Sequence, residues 1–260
     1  MTETFRDLFS TQQTEASLIY HLDESLNGGF GGTNGGVLAA ICIDAARAFA
    51  PDRTPIGIDA RFIRNSPPGP AKVVATPLNI GRSLSTISVD ISRHDGKLAT
   101  RGTVSFVNAS ALEPVDVKGL AEPDEEVLHP DEGRVWKEPA KQKIPLIRTF
   151  RPRLLGKTSK GIVTACDILW ESGSLQEAAC IAADISVGPP VAAALKGKQL
   201  AMPNPDLSLR FCLEGATPAY LVSTCRLASI NQGLATTILE VRDLDTLIAT
   251  GISSTTCLKQ

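Results

Sequence analysis

Asp184 is the first residue whose type and setting could do chemistry. It stands in "CIAADISV", an apolar helical stretch where an ionised carboxylate is costly unless a partner or a reaction uses it. A carboxylate so placed can orient a water molecule or take its proton. Read as a packing feature, it would cap a helix break ahead of Gly188-Pro189-Pro190. A second feature is "GGFGGTNGG" at 28–36, six glycines in nine residues ahead of an apolar run. At Asn34, Gly35 and Gly36 the bare backbone N–H groups of a helix start would favour a carbonyl or phosphate oxygen, and only glycine allows close approach without a Cβ. The plainer reading is a flexible loop entering a buried helix. Asp44, ten residues after Asn34, matches Asp184 when Ile41 is aligned with Ile181. It could instead pair with Arg47 one turn on, or with Arg61.

These features exclude several chemistries. The glycines are not a GxGxxG between strand and helix, and no Lys-Ser/Thr follows them, so nucleotide-binding folds do not fit. Six cysteines without C-x-x-C spacing and only three histidines argue against a zinc site. The cysteines read as small buried hydrophobes in a reducing compartment. A net charge of −2 and an isoelectric point near 6.0 leave no basic face for nucleic acid. The start, "MTETFRDLFSTQQTEASLIYHLDES", mixes charged and polar residues without the apolar core of a signal peptide, and no long apolar span follows. The expectation is a cytoplasmic protein that does not enter membranes.

The elements that must position these residues are written twice. "RFIRNSPPGPAKVVAT" (61–76) answers "RFCLEGATPAYLVST" (210–224), and "SLSTISVDISRHDGKLAT" (83–100) lies over "GLATTILEVRDLDTLIAT" (233–250) at a constant offset of 150. Shared register, alternation and turns indicate duplication. Each copy offers one helix, apolar nearly all round and therefore buried on most faces: 34–50, and 174–197 with Ser174 and Glu177 at capping-box spacing. Pro189 and Pro190 should break or kink the second near Gly188. Alternating β-branched strands follow each helix, with Asp95-Gly96 as a hairpin turn. A further strand should precede each helix, at 15–22 and at 146–155 or 160–170. The basic stretch "FRPRLLGKTSK" (150–160) reads as a solvated edge strand protected by charge, or as a contact for phosphates. Arg61 and Arg210 occupy matching positions, which points to strand pairing. Residues 111–143, rich in proline and acid, read as a linker.

The stretches "NGGVLAAICIDAARA", "GRSLSTISVDISRHDGKLATRGTVSF" and "AADISVGPPVAAAL" resemble the acyl-CoA thioesterase II type and its thioesterase-like relatives over roughly 15–107 and 145–258. The resemblance implies an α+β double hotdog: two tandem repeats, each an antiparallel sheet wrapped around a long central helix, forming an intramolecular pseudo-dimer. The repeats would be 1–110 and 144–260. It further implies hydrolysis of an acyl-CoA thioester by water, with Asp184 helping to activate it. Two more catalytic positions, Thr and Gln in the family, fall by register at Asn204 and Ser253; an amide and a hydroxyl can still bind water. The single-hotdog relatives carry their helix acid about nine residues beyond a His/Asn-Gly-Gly, so Asp44 sits one residue late, a rotation of about 100°. Asn34, Gly35, Gly36 and Asp44 are the implied substrate-binding set. No metal or cofactor is implied, coenzyme A entering as part of the substrate, and exposed sheet edges favour homo-oligomers. Hotdog hydratases use a histidine, and His21, His94 and His129 lie off the buried helices and their glycine-rich entry. The remaining alternative is a non-catalytic acyl-group binder whose catalytic set has drifted.

Overall fold

The two apolar runs become the helices at the centre of the molecule, and the strands wrap them. The computed structural model describes residues 2–14, 17–113, 115, 127–138, 143–198, 200–212, 217–244 and 246–259. In chain order the strands and helices are β1 Ser10–Gln13, β2 Leu18–Leu22, α1 Gly35–Arg47, β3 Thr54–Phe62, β4 Gly69–Ile80, β5 Leu84–Ser92 and β6 Leu98–Val107. Then come β7 Arg134–Val135, α2 Leu146–Phe150, β8 Arg153–Lys157, β9 Ile162–Asp167, α3 Leu175–Ala194, β10 Asp206–Phe211, β11 Tyr220–Asn231, β12 Leu234–Asp243 and β13 Thr246–Thr256.

All the strands join one antiparallel sheet in the order β1-β2-β4-β5-β6-β3-β10-β13-β12-β11-β9-β8-β7. The order is nearly palindromic about the β3–β10 pair, as a duplicated chain requires. At that seam Asp59 lies opposite Ser208, and Arg61 opposite Asp206. Arg61 is ion-paired to Asp206 and Arg210 to Asp59, so both arginines of the repeated Arg-Phe serve strand pairing. Strand alternation sends Ile87, Val89 and Ile91 of β5 inward against α1, and their partners outward.

α1 and α3 pack directly on each other. A Cβ on Gly36 would lie 2.5 Å from the Cys180 carbonyl oxygen and 2.7 Å from Ile181 Cα, so the bare glycine sets how closely the helices approach. Arg47 closes the other end of the contact, its Nε donating to Glu177 at 2.7 Å. The first residues brace both halves. Thr2 N–H donates to the Leu169 carbonyl, and the Phe5 ring sits 5.3 Å from Trp170 and 5.2 Å from Phe9, which meets Tyr20 at 5.5 Å.

Several expectations are corrected. Ser174 adopts a left-handed backbone (φ 56°) and makes no side-chain cap bond, and the Glu177 side chain pairs with Arg47 in place of closing a capping box. α3 runs through Pro189 and Pro190 to Ala194 without ending at Gly188. The N–H bonds that Pro189 and Pro190 cannot make would go to the carbonyls of Ile185 and Ser186, and the helix carries on without them because Pro190 and Val191 still pack in the core. Residues 146–150 form α2, stopped by Arg151 (φ 43°) before Pro152; the strands are β8 and β9. β8 is not the sheet edge, since β7 from the expected linker covers it, and Arg153 is buried and bonded to Asp167. Residues 114, 116–126 and 139–142 of that linker lie outside the described residues.

Candidate active site

Asp184 projects from the middle of α3 at the point where Gly36 touches it. Its Oδ2 accepts from Asn34 Nδ2 at 2.6 Å and its Oδ1 from Asn204 Nδ2 at 3.2 Å. The N–H groups of Gly35 and Gly36, at the open end of α1, also act on the carboxylate. Burial raises the Asp184 carboxyl above the ordinary carboxylate range, and these donors offset only part of that rise. The residue is 7% exposed.

Each donor is placed by its own element. Asn34 is the N-cap of α1: its Oδ1 accepts from Val37 N–H at 3.3 Å, which turns Nδ2 toward Asp184. Asn204 lies just before β10, and its Oδ1 accepts from Thr255 Oγ1 at 3.0 Å. An amide NH2 carries two N–H groups. One of each pair is spent on Asp184; the second has no acceptor among the described contacts. Ahead of α1 and between β3 and β4, the buried side-chain atoms Asn27 Oδ1, Thr33 Oγ1 and Ser66 Oγ have no partner among the described residues. They belong to one cluster, since Asn27 bridges Thr33 and Thr33 N–H donates to the Ser66 carbonyl at 2.8 Å.

The structure therefore brings Asp184, Asn34, Asn204, Gly35 and Gly36 together, and leaves two expected residues apart. Ser253 is buried on the inward face of β13, but its hydroxyl donates to the Asp206 carbonyl at 2.7 Å and makes no contact with Asp184. Thr255, two residues on and on the same face, reaches Asn204 instead. Nothing in the local sequence separates a Ser from a Thr at that spacing. Asp44 is committed to Arg6, whose Nε donates to Oδ2 at 2.8 Å, and to the Tyr20 hydroxyl. Burial first, and then Asp44 beside it, push the Tyr20 hydroxyl far above its usual range. Arg61 is held by Asp206 and Arg47 is bonded to Glu177. Gly35 and Gly36 have a packing reason besides their N–H groups: a Cβ on Gly35 would lie 2.6 Å from the Phe62 ring.

A cleft of about 320 Å³ lies at the far end of α1, between Arg6, Leu18, Ala45, Phe49, Val73 and Ala75. Eight residues of helix, about 12 Å, separate Gly36 from Asp44 at that end. Asp184 does not line this cleft. Among the described residues no cluster of His, Cys, Asp and Glu is arranged to hold a metal ion, and no helix is long and apolar enough to cross a membrane.

Residues 23–107 match the family described as the acyl-CoA thioesterase N-terminal domain. Over the whole chain the fold is similar to a conserved hot dog protein of unknown function from Alicyclobacillus acidocaldarius, at 18% identity and TM-score 0.80 over 100% of both chains. It is also similar to the tesB protein of Mycobacterium avium subspecies paratuberculosis, at 16% identity and TM-score 0.74 over 96% of both chains. An acyl-CoA thioesterase II from Mycobacterium marinum aligns at 14% identity and TM-score 0.75 over 99% of both chains. No curated protein matches significantly. At such identities the structural likeness shows the fold alone: this is an α+β protein of the hotdog type. The resemblance to thioesterase II-like proteins holds by sequence within the first half and by fold over the full length.

Proposed function

We propose that the protein hydrolyses an acyl-CoA thioester at the junction of α1 and α3, the two halves acting as paired hotdogs in one chain. The observation that carries this reading is the Asp184 carboxylate held between two amides, each with an N–H left over. Asp184 takes a proton from a water molecule as its oxygen attacks the thioester carbonyl carbon. The second N–H groups of Asn34 and Asn204 are placed to hold that water or the oxyanion that forms. The tetrahedral intermediate collapses by breaking the C–S bond; the thiolate leaves and takes up the proton that Asp184 accepted, giving free coenzyme A and a carboxylic acid that ionises by releasing its proton to solvent. A carboxyl raised above its ordinary range is the better base near neutrality. The unpartnered buried atoms of Asn27, Thr33 and Ser66 suit ordered water near the entry to α1.

The test is thiol release across a panel of acyl-CoAs of different chain length, with and without Asp184→Asn. The variant should lose about 10²-fold or more in kcat. Release that survives the substitution unchanged removes Asp184 from the mechanism.

A second reading, an acyl-group binder without turnover, draws on two observations. Asp184 is nearly closed off, and the Ser253 hydroxyl is committed to Asp206. Tight binding of an acyl-CoA with no thiol released at any chain length would establish it.

A further inference from the structure

We propose that Thr255 is a positioning residue of this site: its hydroxyl locks the Asn204 amide in the orientation that presents N–H, and not oxygen, to Asp184. The inference rests on the hydrolase reading and names a residue which that reading does not contain.

An asparagine amide is nearly symmetric in shape, and either end fits the same space. With Oδ1 turned to Asp184, two oxygens carrying negative charge would face each other and the carboxylate would lose a donor. The far side of the amide decides between the two orientations. For Asn34 the Val37 N–H of α1 occupies that side and accepts nothing, so Oδ1 must face it. For Asn204 the neighbour is the Thr255 hydroxyl, 1% exposed, at 3.0 Å from Oδ1. A hydroxyl can also accept, but Asn204 Oδ1 is the one acceptor for the Thr255 proton among the described residues, so only the orientation with Oδ1 toward Thr255 leaves neither group unpaired. Ser253 is excluded from this task because the Asp206 carbonyl already holds its hydroxyl.

Titration of Asp184 reports this lock cleanly. The groups acting on it are neutral donors: Asn34, Gly35 and Gly36 from α1, and Asn204 from the segment before β10. From β13, Ser253 and Thr255 are neutral as well. The Cys180 thiol, one turn earlier on α3, is pushed well above its usual range by burial and stays neutral. Glu177 is held by Arg47, and Asp206 by Arg61 and the Ser254 N–H.

The experiment compares Thr255→Val, which keeps the shape without the donor, with Thr255→Ser, which keeps the hydroxyl. Two quantities are read: the acid limb of kcat/KM for thiol release, and the titration of the Asp184 carboxyl by carbon NMR, assigned with Asp184→Asn. Losing an oriented N–H disfavours the anion, so Thr255→Val should move the titration and the acid limb to higher pH. It should also lower kcat on the order of tenfold while KM stays within about twofold, since geometry is disturbed more than binding. Thr255→Ser should restore all three. A titration that stays put in Thr255→Val, and again in Thr255→Ala, overturns the proposal and leaves Thr255 as strand packing. The NMR readout needs no turnover. A chain that releases no thiol would therefore remove the hydrolase reading while still deciding the role of Thr255.

Discussion

At the scale of single residues, the buried Asp184 has a consequence for stability that does not depend on catalysis. Its folded-state carboxyl lies above its unfolded value, with burial the largest cause. The stability it contributes is therefore full below the ordinary carboxylate pKa of about 4 and is lost as pH rises through the raised folded value. Asp184→Asn removes that titration. In urea unfolding measured from pH 4 to pH 8, the variant should gain on the wild type as pH rises. A difference that stays constant over the range would show that the carboxyl is not held up by burial. The acid itself was legible in the sequence, because a lone carboxyl in an apolar helix must be paired or used. Asn34 was legible as a helix start, although its amide was not readable as a donor to α3. Thr255 was hidden for a tertiary reason: Ser253 and Thr255 share one face of β13, and only the Asp206 carbonyl decides which hydroxyl is free to reach Asn204.

Among the elements, the α1–α3 contact fixes the site, and Gly36 is its tightest point. In an exposed helix Gly→Ala stabilises by about 1 kcal/mol through propensity. At Gly36 the new Cβ would press on the Cys180 carbonyl, on Ile181 and on the Asp184 Cβ, the last at 2.9 Å. Gly36→Ala should therefore destabilise, by about 1–3 kcal/mol as overpacked cores do, and displace Asp184 enough to lower thiol release. Urea unfolding paired with the thiol assay reads both, and a stabilised variant would mean that the helices separate freely. The identities of α1, α3 and the strands that follow them were readable from periodicity, whereas residues 146–150, offered as strand, form α2. What failed were the ends and connections. The expected cap failed because Ser174 is left-handed and Glu177 pairs with Arg47. The prolines of α3 did not break it because packing of Pro190 and Val191 in the core carries the helix past them. The strand β7 arises from a proline-rich stretch whose two paired residues carry no pattern.

For the whole molecule, the seam between halves carries its charges on the outside. Arg210 and Asp59 are 60% and 53% exposed, so solvent screens their attraction. Arg210→Ala should cost no more than about 1 kcal/mol in urea unfolding, as exposed pairs do. A much larger loss would show that the ladder of charges, and not the β3–β10 backbone bonds and the helix contact, unites the halves. The brace formed by the first residues bears on how such a chain is made. Phe5 finds Trp170 only after the ribosome has delivered β9 and the loop beyond it, long after β6 is complete. Until then the Phe5 ring has Phe9 beside it and not Trp170. The brace can therefore close before α3 and β10, which join the halves, have been made.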